Sequence, residues 1–196
     1  MKLFYTKRSP YARKIRVMAL EKKIPLELIE EDLTKKSSTL IKSNPLGKIP
    51  ALILDNGDIL LDSPVICEYI DFLSDDPKLI ATELNLRFRA LHLEAIADGL
   101  MDVTVGAYME KQRHPKDFHQ GFMAAQEETI ARTLTFFEEN IKELNSLSLV
   151  SIAVASSLGY IQFRLASLAP NATTPKLKEW FEEFSKRPSM LETRPG

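Results

Sequence analysis

The sequence predicts an α+β amino-terminal domain, residues 1–75, followed by an all-α domain, residues 82–196. Two observations lead to this prediction. In the first 74 residues the hydrophobic pattern alternates between the short apolar runs of strands and the wider spacing of helices. After the segment Ser74-Asp75-Asp76-Pro77, which has the composition of a linker, only helical spacing remains. At 196 residues, the chain is long enough for two small domains.

The first part of the amino-terminal domain is predicted to be a strand, a helix and a second strand. Residues 3–5 are a short apolar run, and residues 10–22 have apolar side chains at helical spacing. Residues 26–30 are typical of a strand. Because a helix joins the two strands, they are expected to pair in parallel through a crossover connection.

The second part of this domain is predicted to be a hairpin followed by a helix. Residues 51–54 and 59–61 flank Asn56-Gly57, a dipeptide typical of tight hairpin turns. Residues 63–74 then have helical spacing. The order βαβ followed by ββα is the thioredoxin-like arrangement.

The remainder of the chain is predicted to form four helices, at residues 83–111, 117–144, 148–165 and 175–185. His114-Pro115, Asn145-Ser146 and Pro170-Asn171 separate them, and each pair is typical of a loop. Ser148 is the expected N-cap of the third helix.

Composition excludes several classes of function. The net charge is −1 and the pI about 6.3, which argues against a nucleic-acid partner. The single cysteine, Cys67, excludes an internal disulfide and a cysteine-rich zinc site, and it is interpreted as a buried small hydrophobic residue. The sequence lacks a signal peptide and any apolar run of the ~18–20 residues that cross a membrane. A cytoplasmic protein with no metal and no membrane partner is expected.

Three short motifs place polar groups at the ends of these elements. Ser9-Pro10 stands at the start of the first predicted helix, and Asp62-Ser63-Pro64 stands at the start of the second. Both pairs are typical helix starts, with serine as N-cap and proline in the first turn. The third motif is Gly47-Lys48-Ile49-Pro50, which opens a strand. Because only ~5–6% of X-Pro bonds are cis, the frequency alone predicts a trans bond before Pro50.

Together, these motifs and nearly the whole chain resemble the cytosolic glutathione S-transferase family of the serine type. The resemblance implies that Ser9 stabilises the glutathione thiolate. A cysteine thiol has a pKa of ~8.5, and lowering it by two units takes ~2.7 kcal/mol. A hydrogen bond to a charged group gives ~1.5–3 kcal/mol and a helix amino terminus ~0.3–1 kcal/mol. The two effects together are sufficient.

The resemblance also implies the groups that bind glutathione. In this family the proline that matches Pro50 is cis, so that Ile49 offers its backbone N–H and C=O to the cysteinyl part. Ser63 and its helix start would receive the γ-glutamyl carboxylate, and Asp62 would pair with the ammonium. The family more often has Glu or Gln in place of Asp62. Lys35, Lys36 and Lys48 are candidates for the glycine carboxylate, with Lys48 favoured over Lys35.

The function that the resemblance implies is a glutathione transferase, and the alternative is a glutathione-binding or scaffold protein with little transferase activity. The transferase would act on a small hydrophobic electrophile and form a homodimer. Thiol–disulfide reduction is less consistent with the sequence, because that reaction needs a nucleophilic cysteine where Ser9 stands. Met101, Tyr108 and Phe118 are candidates for the electrophile pocket.

Four further residues are interpreted structurally. Tyr5 could also donate to a thiol, but a core aromatic is favoured. Asp98 and Asp102 could face the sulfur, but a solvated acidic face is favoured. Ser151 stands where the family has the Asp of a capping box, and this replacement should weaken the start of the long apolar helix by ~0.5–1 kcal/mol.

Overall fold

The computed structural model describes residues 1–196 and contains one four-stranded mixed sheet with the strand order β2-β1-β3-β4. The central strand β1 runs parallel to β2 and antiparallel to β3, and β3 runs antiparallel to β4. The strands are β1 (Lys2–Tyr5), β2 (Glu27–Glu30), β3 (Ala51–Ile53) and β4 (Ile59–Leu61). Gly57 has φ +90° in the turn between β3 and β4, as the Asn-Gly signal predicts. The thioredoxin-like arrangement is confirmed.

The amino-terminal domain contains three helices, α1 (Pro10–Glu21), α2 (Ser38–Ser43) and α3 (Ser63–Phe72). The sequence did not predict α2. It has six residues, and Leu40 is its one buried side chain, so no apolar period exists to detect. The hydroxyl of Ser37 caps this helix by accepting a hydrogen bond from the backbone N–H of Leu40 at 3.0 Å.

The rest of the chain is helical, as predicted. The α-helices are α4 (Leu84–Arg113), α5 (Gln120–Glu139), α6 (Leu149–Arg164), α7 (Pro175–Phe184) and α8 (Pro188–Glu192). The segment Ile141–Leu144 is a separate 3₁₀ helix, so α5 is shorter than the sequence predicted. The five-residue α8 was not predicted. No helix combines the length and the apolar character needed to span a membrane.

Helix α6 lies in the middle of a hydrophobic core that extends through both parts of the chain. Its residues 149–161 are all buried. Ser151 takes the place of the aspartate in the capping box at its start. The backbone N–H of Ser148 donates to Ser151 Oγ at 2.9 Å, and the backbone N–H of Ser151 donates to Ser148 Oγ at 3.3 Å. A serine therefore completes the capping box without a charge.

Buried polar contacts hold the connection between the two parts. The Lys22 ammonium donates to the carbonyls of Ser74 and Pro77, both at 2.6 Å, and to Asp71 at 2.9 Å. The Asp71 carboxylate in turn accepts hydrogen bonds from the backbone N–H groups of Leu79 and Ile80, at 2.9 and 3.2 Å. These contacts hold the linker against α1 and α3. The region where the start of α1 faces α4 is called the cleft below.

Candidate functional site

The first edge of the cleft is the start of α1. Ser9 is its N-cap, with Oγ accepting a hydrogen bond from the backbone N–H of Ala12 at 3.2 Å, and Pro10 occupies the first turn. Ser9 is partly exposed, and no group of the protein accepts its hydroxyl hydrogen. A hydroxyl can accept and donate at the same time. Ser9 thus caps the helix and keeps an O–H free to donate into the cleft.

Tyr5 lies behind Ser9 and belongs to the core. Its side chain is 7% exposed, and the Arg16 guanidinium lies 4.8 Å from the centre of its ring. This agrees with its interpretation as a core aromatic. Tyr11, which the sequence did not single out, lies at the cleft instead and donates a hydrogen bond to the Asp102 carboxylate of α4.

The loop before β3 is held by a residue that the sequence analysis missed. Asn44 is 3% exposed. Its Nδ2 donates to the carbonyl of Lys48 at 2.9 Å, and its Oδ1 accepts from the backbone N–H of Leu46 at 2.9 Å. Gly47 has φ +57°, a conformation that suits glycine. The sequence Asn-Pro-x-Gly carries the signal for such a turn, because asparagine side chains mimic backbone groups.

This loop presents a free backbone at Ile49. The Ile49–Pro50 bond is cis, so the expectation from frequency is wrong, and the isomer is the one implied by the resemblance. Ile49 is partly exposed, and neither its N–H nor its C=O has a hydrogen-bond partner in the protein. An unpaired donor and acceptor next to a strand can add the backbone of an extended peptide.

The start of α3 differs from the sequence prediction. Asp62, not Ser63, is the N-cap: its Oδ1 accepts from the backbone N–H of Ser63 at 2.7 Å. Asp62 has φ +68° and ψ 140°, in the positive-φ, left-handed half of backbone space that residues with a side chain rarely adopt. Ser63 is fully buried, and its Oγ has no hydrogen-bond partner. A buried hydroxyl without a partner is uncommon and calls for an explanation.

The lysines near the loop are exposed. Lys35, Lys36 and Lys48, the three candidates for a carboxylate, all have exposed side chains. The Nζ atom of Lys36 lies 3.2 Å from the point where a Cβ of residue 47 would stand, so its ammonium lies beside this loop.

A buried ion cluster joins α1 to α4 beneath the cleft. The Lys14 ammonium is fully buried and contacts Glu94 at 2.8 Å and Asp98 at 2.7 Å. The interpretation of Asp98 as part of a solvated face is wrong, since its side chain is 17% exposed and bound to Lys14. Asp102 is exposed, and Tyr11 is its partner.

The pKa values of the cluster follow from two carboxylates sharing one ammonium. Burial raises the pKa of Glu94 and of Asp98 more than Lys14 lowers it, and Asp62 and Asp102 raise that of Asp98 further. Burial alone would lower the pKa of Lys14, but its neighbours Cys67, Asp98 and Glu94 outweigh burial and raise it.

The candidates for the electrophile pocket are separated by the structure. Met101 is fully buried in the core, and Cys67 is fully buried as predicted. Phe118 is partly buried against the core. Tyr108 is partly exposed, and its ring lies 4.2 Å below the Arg164 guanidinium of α6. Of the three candidates, only Tyr108 stacks against a charged side chain, that of Arg164, which the sequence did not single out.

Comparisons with known proteins agree with this arrangement. A sequence model of the glutathione S-transferase amino-terminal domain matches residues 3–78. The uncharacterized GST-like protein YibF of Escherichia coli (strain K12) is 31% identical over 100% of this chain and 98% of its own length.

Two solved structures cover the whole chain. A glutathione transferase family member from Pseudomonas fluorescens Pf-5, with bound glutathione, is 39% identical with a TM-score of 0.92 over 100% of this chain and 98% of its own. A glutathione S-transferase from Methylobacillus flagellatus KT, also with glutathione bound, is 35% identical with a TM-score of 0.93 over 100% and 99%. A second structure of the Pseudomonas protein holds S-(propanoic acid)-glutathione.

Proposed function

Since the chain belongs to the glutathione S-transferase family, we propose that it is a glutathione transferase. It binds glutathione along the loop before β3 and the start of α3, within a domain spanning residues 1–75. The thiol then lies beside Ser9, and the helical domain, residues 82–196, supplies the pocket for a small hydrophobic electrophile.

The observation that carries this proposal is the orphan hydroxyl of Ser63. Its Oγ is buried and has no partner in the protein. The first N–H groups of α3 point along the helix axis and out of its amino-terminal end, and such a helix start attracts a carboxylate. The γ-glutamyl carboxylate of glutathione supplies the acceptor that Ser63 lacks.

The neighbouring groups match the rest of the tripeptide. Asp62 offers a carboxylate to the ammonium of the γ-glutamyl group, and the negative charge of Asp98 lies close enough to act on the same region. The unpaired N–H and C=O of Ile49, set by the cis bond to Pro50, fit the backbone of the cysteinyl residue. Lys48 or Lys35 meets the carboxylate of the glycine.

Ser9 then acts on the sulfur. Its free O–H donates to the thiolate, and the thiol proton leaves to solvent. The sulfur electron pair forms a bond to the electrophilic carbon, and the leaving group departs with its bonding pair. The hydrogen bond and the helix amino terminus together favour the thiolate by roughly 2–4 kcal/mol.

A homodimer is part of this proposal. Apolar side chains of α3 and the first half of α4 are exposed: Val65 at 51%, Phe72 at 81%, Leu84 at 64% and Phe88 at 62%. The two helices approach each other at one point, where Arg87 of α4 donates a hydrogen bond to Glu68 of α3. A second copy covering these side chains would remove them from water.

The single buried cysteine is consistent with a cytoplasmic setting.

Calorimetric titration with glutathione, run beside a turnover assay with an activated aryl halide, tests the proposal. Saturable binding with turnover supports the transferase. Binding without turnover supports the glutathione-binding or scaffold alternative. If millimolar glutathione produces no binding heat and no protection against thermal unfolding, both assignments are overturned.

A further inference from the structure

A group of aromatic side chains surrounds one arginine where α4 and α6 meet. The Arg164 guanidinium carbon lies 4.2 Å from the centre of the Tyr108 ring and 4.0 Å from that of Phe163. Tyr160 precedes Arg164 by one helical turn and is 6% exposed. Stacking against two rings fixes the plane of the guanidinium and leaves its edge available for hydrogen bonds.

The charge of Arg164 has no carboxylate partner in the protein. No carboxylate lies within 4.0 Å of it, its Nε is buried without a hydrogen-bond acceptor, and the polar group beside its guanidinium is the uncharged Tyr160 hydroxyl. Lys14 and Arg187, by contrast, are each paired with carboxylates at 2.8 Å. A buried donor on a charged group that lacks an acceptor is costly, so an anion that accepts from it is bound favourably.

This arginine is close to the sulfur end of the cleft. Its ring partner Tyr108 follows Asp102 on α4 by six residues, less than two helical turns, and the Asp102 carboxylate accepts a hydrogen bond from Tyr11, two residues after Ser9. Burial raises the pKa of the Tyr160 phenol, and the positive charges of Arg164 and Arg8 both oppose that rise. Arg8 directly precedes Ser9, is exposed and forms no ion pair. Both arginines are therefore assigned to the end of the cleft where α1 begins.

We propose that the electrophile carries a carboxylate and that Arg164 binds it, with Arg8 at the mouth of the same pocket. The apolar rings of Tyr108 and Phe163 contact the carbon skeleton, and the guanidinium edge receives the anionic oxygen atoms. This inference rests on the proposed function, because the carboxylate is placed relative to the sulfur that Ser9 stabilises. It narrows the substrate from a small hydrophobic electrophile to a small organic acid with an electrophilic carbon.

Two glutathione conjugates that differ in one group test this assignment. S-carboxymethylglutathione carries an anion on the sulfur substituent, and S-carbamoylmethylglutathione carries a neutral amide of nearly the same shape. Calorimetric titration of the wild-type protein should give a dissociation constant at least about tenfold lower for the carboxymethyl conjugate, the ratio that one charge-assisted hydrogen bond supports. Equal affinities would overturn the inference whatever the variants do.

Substitutions of single residues show which side chain causes the preference for the carboxymethyl conjugate. Arg164→Met should abolish it, Arg164→Lys should retain part of it, and Arg8→Met should reduce it, while Arg132→Met, on the exposed face of α5, should leave it unchanged. Retention of the full preference in both Arg164→Met and Arg8→Met would overturn the inference. Because Arg8 is exposed, its variant remains informative if Arg164→Met does not fold. Glutathione itself is titrated in parallel: if it binds normally and only the preference is absent, the proposed function stands.

Discussion

The helices α1 and α3 both begin with a serine followed by a proline, but their serines do different work. At α1, Ser9 is the N-cap, and its Oγ accepts from the backbone of Ala12. At α3, Asp62 takes the cap, so Ser63 moves one position into the helix and its Oγ has no partner. The residue before a Ser-Pro pair therefore decides whether its hydroxyl completes the helix or stays available for a ligand.

The two helix starts also differ in how they are held. α1 is tied to α4 by the buried contacts of Lys14 with Glu94 and Asp98, and by Tyr11 with Asp102. The start of α3 depends on the local bond of Asp62 in its left-handed conformation. One end of the cleft is thus fixed by tertiary contacts, and the other by local backbone geometry.

The largest expected effect comes from breaking the tertiary tie. Lys14→Met leaves two buried carboxylates without their ammonium, and removing one partner of a buried ion pair costs about 3–5 kcal/mol. The free energy of unfolding, measured in urea, should fall by that amount. Lys178→Met, which removes an exposed partner of Glu182 on α7, is the control and should change it by less than about 0.5 kcal/mol. A loss below about 1 kcal/mol in Lys14→Met would show that the cluster does not hold α1.

The next effect tests the hydroxyl at α1. Ser9→Ala removes the donor to the thiolate, so kcat should fall about 10–100-fold, while the glutathione dissociation constant stays within about twofold. The pKa of the bound thiol, followed by thiolate absorbance, should rise. Ser148→Ala is the control, because it also removes an N-cap, at α6, and should cost about 1 kcal/mol of stability without loss of turnover. Unchanged kcat in Ser9→Ala would remove Ser9 from the mechanism.

The matching substitution at the start of α3 should weaken glutathione binding without lowering stability. Ser63→Ala removes a hydroxyl that has no partner in the protein, so the free energy of unfolding should not fall. The glutathione dissociation constant should rise about tenfold, since the carboxylate loses one hydrogen bond. Asp62→Asn keeps a side-chain cap and removes the negative charge, which should weaken glutathione binding at little cost in stability. Full affinity in Ser63→Ala would show that the ligand does not use this hydroxyl.

The smallest effect concerns pH and returns to the tie beneath α1. Burial raises the pKa of Glu94 in the folded protein above its unfolded value, so the ionised group lowers stability at neutral pH. As the pH falls through the folded pKa, the carboxyl is protonated and this cost disappears. The stability of the wild type relative to Glu94→Gln should therefore rise as the pH is lowered from 7 towards 5, in urea unfolding at several pH values. A decrease over that range would mean that the pairing with Lys14 dominates over burial.

Short motifs predicted most of the elements and candidate residues, because capping, turn and strand signals are local. The helices missed were α2 and α8, of six and five residues, which are too short for an apolar period. The capping of α3 was assigned to Ser63 because serine is a common cap, whereas the left-handed Asp62 occupies that position. Asn44 was missed although its turn signal is local, since the contact with Lys48 forms only once the loop closes.

The sequence by itself determined the order of the elements, the three motifs along the cleft and the family to which the chain belongs. Only the tertiary structure decided which polar groups have partners. Lys14, Ser63 and Arg164 look alike in a sequence as polar residues on helices, yet the first is paired with carboxylates of α4, the second is buried without an acceptor, and the third is stacked without a counter-ion. Hydrogen bonds and ion pairs depend on distances of about 3 Å between residues far apart in the chain, and no local pattern encodes those distances.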